Sequence, residues 1–183
     1  MTDERFQPTL LLSMPQLQDP NFARTVVLLC DFVPEGAFGL VLNRPTDEAA
    51  TGMVRLDPPV EHGNDLLLHT GGPVEPDRGW ILSGEEPADV EHRTIVPGLF
   101  LSTSPILLRR VLETRPAPRA LVLAGYAGWG PGQLDHELSQ SAWLMCDVDV
   151  SLVFDTEPSQ MWETAIRKLG ADPSALQTSH GVH

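Results

Sequence analysis

The stretch "RALVLAGYAGWGPGQLDHEL", residues 119–138, passes from an unbroken apolar run through four glycines and a proline into an amphipathic segment. Leu121, Val122 and Leu123 follow one another without polar alternation. That pattern belongs to a strand covered on both faces. Leu134 and Leu138 are four apart, which puts both on one face of a helix over about 131–141. A connection that only joins a strand to a helix does not need this much glycine. A backbone that must come close to something does.

Outward from this junction, further apolar runs are bounded by turn residues: 9–14, 25–32, 38–43, 66–69, 79–83 and 143–148. Their length and β-branched content predict strands, again without clean alternation. Two more helices are expected. In 104–114, Ser104 stands as N-cap, Pro105 takes the first turn, and Ile106, Leu107, Leu108 and Val111 form the buried stripe. In 158–169, Met161, Trp162, Ala165, Ile166 and Leu169 form the stripe, with Gly170 at the C-terminal end. Segment 44–64 is rich in Pro, Gly and acidic residues and is expected to be an exposed connection. Strands dominate the first half, and helices mix with strands in the second. This order predicts an α+β fold: a single domain over 1–170 with about three helices, and a flexible tail over 171–183.

The 183 residues carry a formal net charge of −13, with Lys168 the single lysine. Such a chain repels phosphate backbones, so direct nucleic-acid binding is not expected. The polar, acidic start "MTDERFQ" is not expected to act as a signal peptide, and no apolar run is long enough to span a bilayer. The expected location is the cytoplasm, with no membrane partner. Cys30 and Cys146 lie in apolar runs and read as reduced, unreactive thiols.

The sequence lacks a G-x-S-x-G elbow and a phosphate-binding G-x-x-x-x-G-K-[ST] loop. "HELSQ" at 136–140 has Gln140 where a zinc protease needs its second histidine. His180 and His183, in the tail, would bind metal only adventitiously. No catalytic residue, metal ligand or cofactor motif is assigned, and the weight falls against an enzyme. Glu137 and Asp19 are the only acid–base candidates.

The segments "SMPQLQDPNFARTVVLLC", "GAFGLVLNRPT", "GGPVEPDRGWIL" and "GYAGWGPGQLDHEL…AWL" resemble the YqgE/AlgH family of small bacterial proteins, from about residue 7 to 169. The resemblance implies one α+β domain with a partly barrel-like, folded mixed sheet. It implies no settled biochemistry; some members are described as regulators of transcription.

A binding corner is expected where these motifs meet. Trp129, Gly130, Gln133 and Glu137 stand at the start of the helix, whose unpaired N–H groups favour an anion. Asn43 and Arg44 end a strand before Pro45, and a guanidinium there can grip an anionic group bidentately. Gly71 and Gly72 can add backbone donors. Trp129 and Tyr126 can stack on a planar ligand. Against this stands a structural reading: glycines for close packing, Arg44 as an internal strut, and Trp80, Tyr126, Trp129 and Trp143 as core. Two functions are carried forward. One is a non-enzymatic regulatory or interaction protein, working through an unidentified protein partner or a bound metabolite. The other is a binding module or enzyme for a small anionic ligand such as a nucleotide.

Overall fold

The computed structural model describes residues 6–15, 17 and 19–179. Ten strands form one mixed, unclosed sheet: β1 Thr9–Ser13, β2 Val26–Val33, β3 Gly36–Val41, β4 Pro45–Ala49, β5 Leu67–Thr70, β6 Val74–Ser83, β7 Arg93–Val96, β8 Leu99–Ser102, β9 Ala120–Trp129 and β10 Trp143–Cys146. The main path runs β10-β1-β2-β3-β9-β6-β8-β7, and β4 and β5 branch from it through a parallel pairing of β5 with β9. The helices are α1 Ala50–Met53, α2 Pro105–Glu113, α3 Gln133–Ser139, α4 Val150–Asp155, α5 Pro158–Lys168 and α6 Pro173–Ser179.

The missing alternation in the sequence has a direct cause. Along β1, β2 and β3 both faces of the sheet are buried, and successive side chains go to opposite clusters. Leu10, Leu12, Leu28, Leu40 and Leu42 enter one core with Trp80, Leu123 and the α5 residues Met161, Trp162 and Ile166. Leu11, Val27, Leu29 and Val41 enter a second core with Ala127, Trp129, Leu134 and Trp143. A third lies where α2 covers Ile81, Ala120 and Val122. Each fully buried leucine in these layers contributes about 2 kcal/mol of burial free energy.

Strand β9 holds the three cores together because it changes partners halfway. Its first half lies between β5 and β6, and its second half pairs with β3 through Ala127, Gly128 and Trp129. The change falls at Gly125, whose φ is +82°. There the Gly71-Gly72 segment crosses so closely that a Cβ on Gly72 would lie 2.1 Å from the carbonyl carbon of Tyr126. A Cβ on Gly125 would lie 2.3 Å from the carbonyl oxygen of Gly72. Only glycine permits this contact of backbone on backbone.

All three expected helices are present, and three short ones join them. Ser104 caps α2 as expected, accepting from Leu107 N–H at 3.3 Å. The α2 stripe differs: Leu107, Val111 and Leu112 are buried while Ile106 is 59% exposed, because the helix sits rotated toward Leu112. Segment 44–64 is more ordered than a connection, supplying β4 and α1 with Ala50 buried. Strands β7 and β8 are short and were not expected. In the segment beyond residue 170, Ala171 and, from α6, Leu176 pack against the first core. His180 and His183 lie outside the described residues. No helix among the described residues is long and apolar enough to cross a membrane.

Candidate functional site

The glycine-rich junction folds into a closed hydrogen-bond cluster. Glu137 Oε1 accepts from Trp129 Nε1–H at 3.0 Å and from Trp143 Nε1–H at 2.8 Å. Its Oε2 accepts from Gln133 Nε2–H at 3.2 Å, and Gln133 Oε1 accepts from Gly130 N–H at 3.1 Å. Phe22 stacks on Trp129 at 6.2 Å between centroids and meets Trp143 edge-on at 5.6 Å. Gln133 fills the place an anion would take at Gly130, and the carboxylate that faces the corner is negative. The helix it opens, α3, has only 7 residues.

Asn43 and Arg44 are drawn to the 23–26 turn. Asn43 Oδ1 accepts from Val26 N–H at 3.0 Å, and its Nδ2 donates to the Arg24 carbonyl at 3.1 Å. Arg44 donates to the Ala23 carbonyl, and its Nε is buried with no partner among the described residues. Gly71 and Gly72 are buried at the crossing with β9, and the Gly71 N–H donates to the Ala124 carbonyl at 2.8 Å. The structure thus brings Trp129, Gly130, Gln133 and Glu137 together. It holds Asn43 and Arg44 to a neighbouring turn, and folds Gly71 and Gly72 into the sheet.

A different hollow lies on the opposite face of β9. It is an open groove of about 610 Å³, and none of the corner's residues lines it. Tyr126 projects from β9 toward the first core, three residues before Trp129 turns into the second. Phe38 from β3, Trp80 from β6 and Tyr126 form its aromatic floor, with centroids 4.9 Å (Phe38–Trp80), 5.3 Å (Phe38–Tyr126) and 6.0 Å (Trp80–Tyr126) apart. Arg78 lies over the Trp80 ring at 4.7 Å. Its nearest carboxylate, Glu75, is 3.8 Å away, beyond hydrogen-bond distance. Arg93 is a strut: it donates to Asp31 at 2.9 Å and to the Cys30 carbonyl at 2.6 Å. His92 and Glu91 complete the rim.

The titratable groups here follow their contacts. Tyr126 donates to Glu75 at 2.8 Å, and this hydrogen bond raises the phenol pKa. The hydrogen bond between His92 and the Val90 carbonyl raises the pKa of the imidazole. Behind the groove, burial pushes the Cys30 thiol up to about 12, so it is not a nucleophile near neutral pH. Both cysteines are free.

A second hollow of about 530 Å³ beside α2 is lined by Arg55, Arg109 and Arg110. Two of these guanidinium groups hold backbone: Arg109 donates to the Pro58 carbonyl and Arg110 to the Ala88 carbonyl at 2.7 Å. That hollow has no aromatic wall.

Sequence favours core for Trp80 and Tyr126, offers Tyr126 with Trp129 as a ring to stack on a planar ligand, and singles out neither Phe38 nor Arg78. The usable signal was "DRGWIL", where Arg78 and Trp80 stand two apart on one strand and so share a face.

A mixed sheet folded around a strand that switches partners, with a glycine crossing and an indole-bound carboxylate, defines an α+β class of small domain. The protein belongs to the AlgH-like family (DUF179), whose model matches residues 10–174. A UPF0301 protein of Myxococcus xanthus is 39% identical to it over 185 residues, covering 96% of this chain and 97% of that one. One from Magnetococcus marinus is 40% identical over 179 residues, covering 93% of each. The solution structure of the AlgH protein from Pseudomonas aeruginosa superposes with a TM-score of 0.73 at 31% identity, over 97% of this chain and 95% of that one. A crystal structure from Corynebacterium diphtheriae shares the fold, with a TM-score of 0.69 at 21% identity over 90% and 89% of the two chains.

Proposed function

We propose that this protein is a non-enzymatic regulatory binding protein. Its groove takes a small metabolite with a planar, apolar body and an anionic group, and a protein partner reads the occupied state. One observation carries the reading: Arg78 lies over an aromatic floor, in a concavity, without a hydrogen bond among the described residues. In a molecule of net charge −13, a guanidinium that lies on a ring, with Glu75 paired to it only at 3.8 Å, is a local attractor for an anion that also has a face to stack. The corner around Gly130 supports this less well, because Glu137 and Gln133 already engage its donors. The net charge weighs against nucleic acid as the partner. The free cysteines support a reducing, cytoplasmic setting.

The test is a thermal-shift screen of nucleotides and aromatic acids against the unmodified protein and Arg78→Ala. The reading expects a concentration-dependent rise in melting temperature that Arg78→Ala removes. A rise that Arg78→Ala leaves intact would place the ligand elsewhere.

A further inference from the structure

The chain has four tryptophans, and their indole N–H groups are not treated alike. Trp129 and Trp143 donate to Glu137, and Trp162 donates to the Ser13 carbonyl at 2.9 Å. Trp80 is only 8% exposed, and its Nε1 has no partner among the described residues. A buried N–H without an acceptor is costly, and native structures seldom keep one without a reason. Here it belongs to the one tryptophan that lines the groove.

Of the groups packed against this indole, Phe38 and Tyr126 are half-buried in the ladder, and Arg78 is exposed. Arg78 is therefore the group that can swing away without moving the sheet. Taking the groove as the ligand site proposed above, we infer that its ligand is a planar heteroaromatic acid. A ring acceptor, either a pyridine-type nitrogen or a ring carbonyl, takes the Trp80 Nε1–H, and the acid group takes Arg78. Moving the guanidinium off the ring frees the cation for the acid group, and the ring acceptor meets the Nε1–H in the plane of the indole. A carbocyclic acid of the same size would leave the Trp80 donor unmet and bind less well, as polar pockets discriminate against analogues that lack the matching atom. The acid itself can be a carboxylate or a phosphate, since a guanidinium pairs with either.

Three probes test this by calorimetry: quinoline-2-carboxylate, naphthalene-2-carboxylate and adenosine monophosphate. The expected result is that the quinoline acid binds roughly tenfold tighter than the naphthalene acid, the ratio one buried hydrogen bond supplies. Trp80→Phe should erase that ratio, leaving the naphthalene acid within about twofold of its affinity for the unmodified protein. Tighter binding of adenosine monophosphate than of the quinoline acid would identify the acid as phosphate, and weaker binding as carboxylate. In the unmodified protein the Trp80 indole proton should move downfield in NMR spectra with the quinoline acid and stay with the naphthalene acid, a readout that does not depend on a variant. Equal affinity for the two ring acids overturns the inference and leaves the groove standing. A preference that survives Trp80→Phe overturns it as well. No binding by any of the three overturns both the inference and the groove.

Discussion

The corner around Gly130 and the groove around Trp80 sit on opposite faces of the same strand, and they differ in how completely their polar groups are matched. In the corner, one carboxylate satisfies two indoles and a glutamine amide, and that glutamine satisfies the Gly130 N–H. In the groove, an indole donor has no acceptor and a guanidinium lies on a ring without a hydrogen bond among the described residues. Glycine content marks the first in the sequence, whereas the second shows there only as Tyr126 and the Arg78–Trp80 pair. Glycine marks where backbone must pass close to something, and here that something is other backbone. Unmatched donors are the better guide to where a ligand belongs.

The most severe way to probe this contrast is at the crossing. Gly72→Ala puts a methyl group against the backbone of Tyr126 and Ala127, with no side chain able to yield. The expected cost is about 4 kcal/mol or more, or failure to fold, measured by urea denaturation. A loss under about 1 kcal/mol would show that β9 tolerates displacement there.

Next is Glu137→Ala, which leaves the Trp129 and Trp143 donors buried and unmatched, since these residues are 5% and 3% exposed. About 2–4 kcal/mol of stability should go, with Glu137→Gln losing less because it keeps an acceptor. Equal losses in the two variants would mean that packing, and not the hydrogen bonds, closes the corner.

A smaller effect comes with pH. Burial lowers the pKa of His69 below the ordinary value of about 6.5. The unfolded chain therefore binds the proton first as acid is added, and stability falls as pH drops from about 6.5 through the folded value. His92 is shifted upward and works in the other sense, stabilising at low pH and losing that contribution as pH rises through its folded pKa. Urea midpoints at pH 7.5 and 5.5 for the unmodified protein and His69→Gln isolate the first effect, with the variant expected to lose less stability than the unmodified protein on going to pH 5.5.

Smallest are Trp80→Phe and Gly130→Ala. Trp80→Phe removes a donor that has no partner, which offsets the lost ring volume, so it should cost under about 1 kcal/mol by urea denaturation. Gly130→Ala adds a methyl group with nothing within 4 Å and should change stability by less than about 0.5 kcal/mol. A large loss at Gly130 would reverse the ranking of the two regions.

Much of the architecture was readable from sequence because the strongest signals were local. Ser104 and Pro105 start α2, Met161 through Ile166 make the buried side of α5, and uninterrupted leucines announce strands with two buried faces. Where tertiary contacts decide, sequence was silent. Strands β7 and β8 lie on either side of Pro97-Gly98, which breaks their shared apolar run, and the turn of α2 that exposes Ile106 depends on how it meets β6 and β9. Arg44 reads from sequence as a ligand group or as a strut to Asp19 or Glu137; that its guanidinium reaches the Ala23 carbonyl depends on a turn whose position sequence does not give. The aromatic floor was hidden for the same reason: Phe38, Trp80 and Tyr126 are far apart in the chain, and each alone looks like core.

Strand β1 lies between β2 and β10, so one of its edges is met only by residues 143–146. On the ribosome, Leu10, Leu11 and Leu12 must wait, with that edge open, until most of the polypeptide has been made. A chain terminated before Trp143 leaves that edge of β1 without its partner strand, an open template for pairing with other chains.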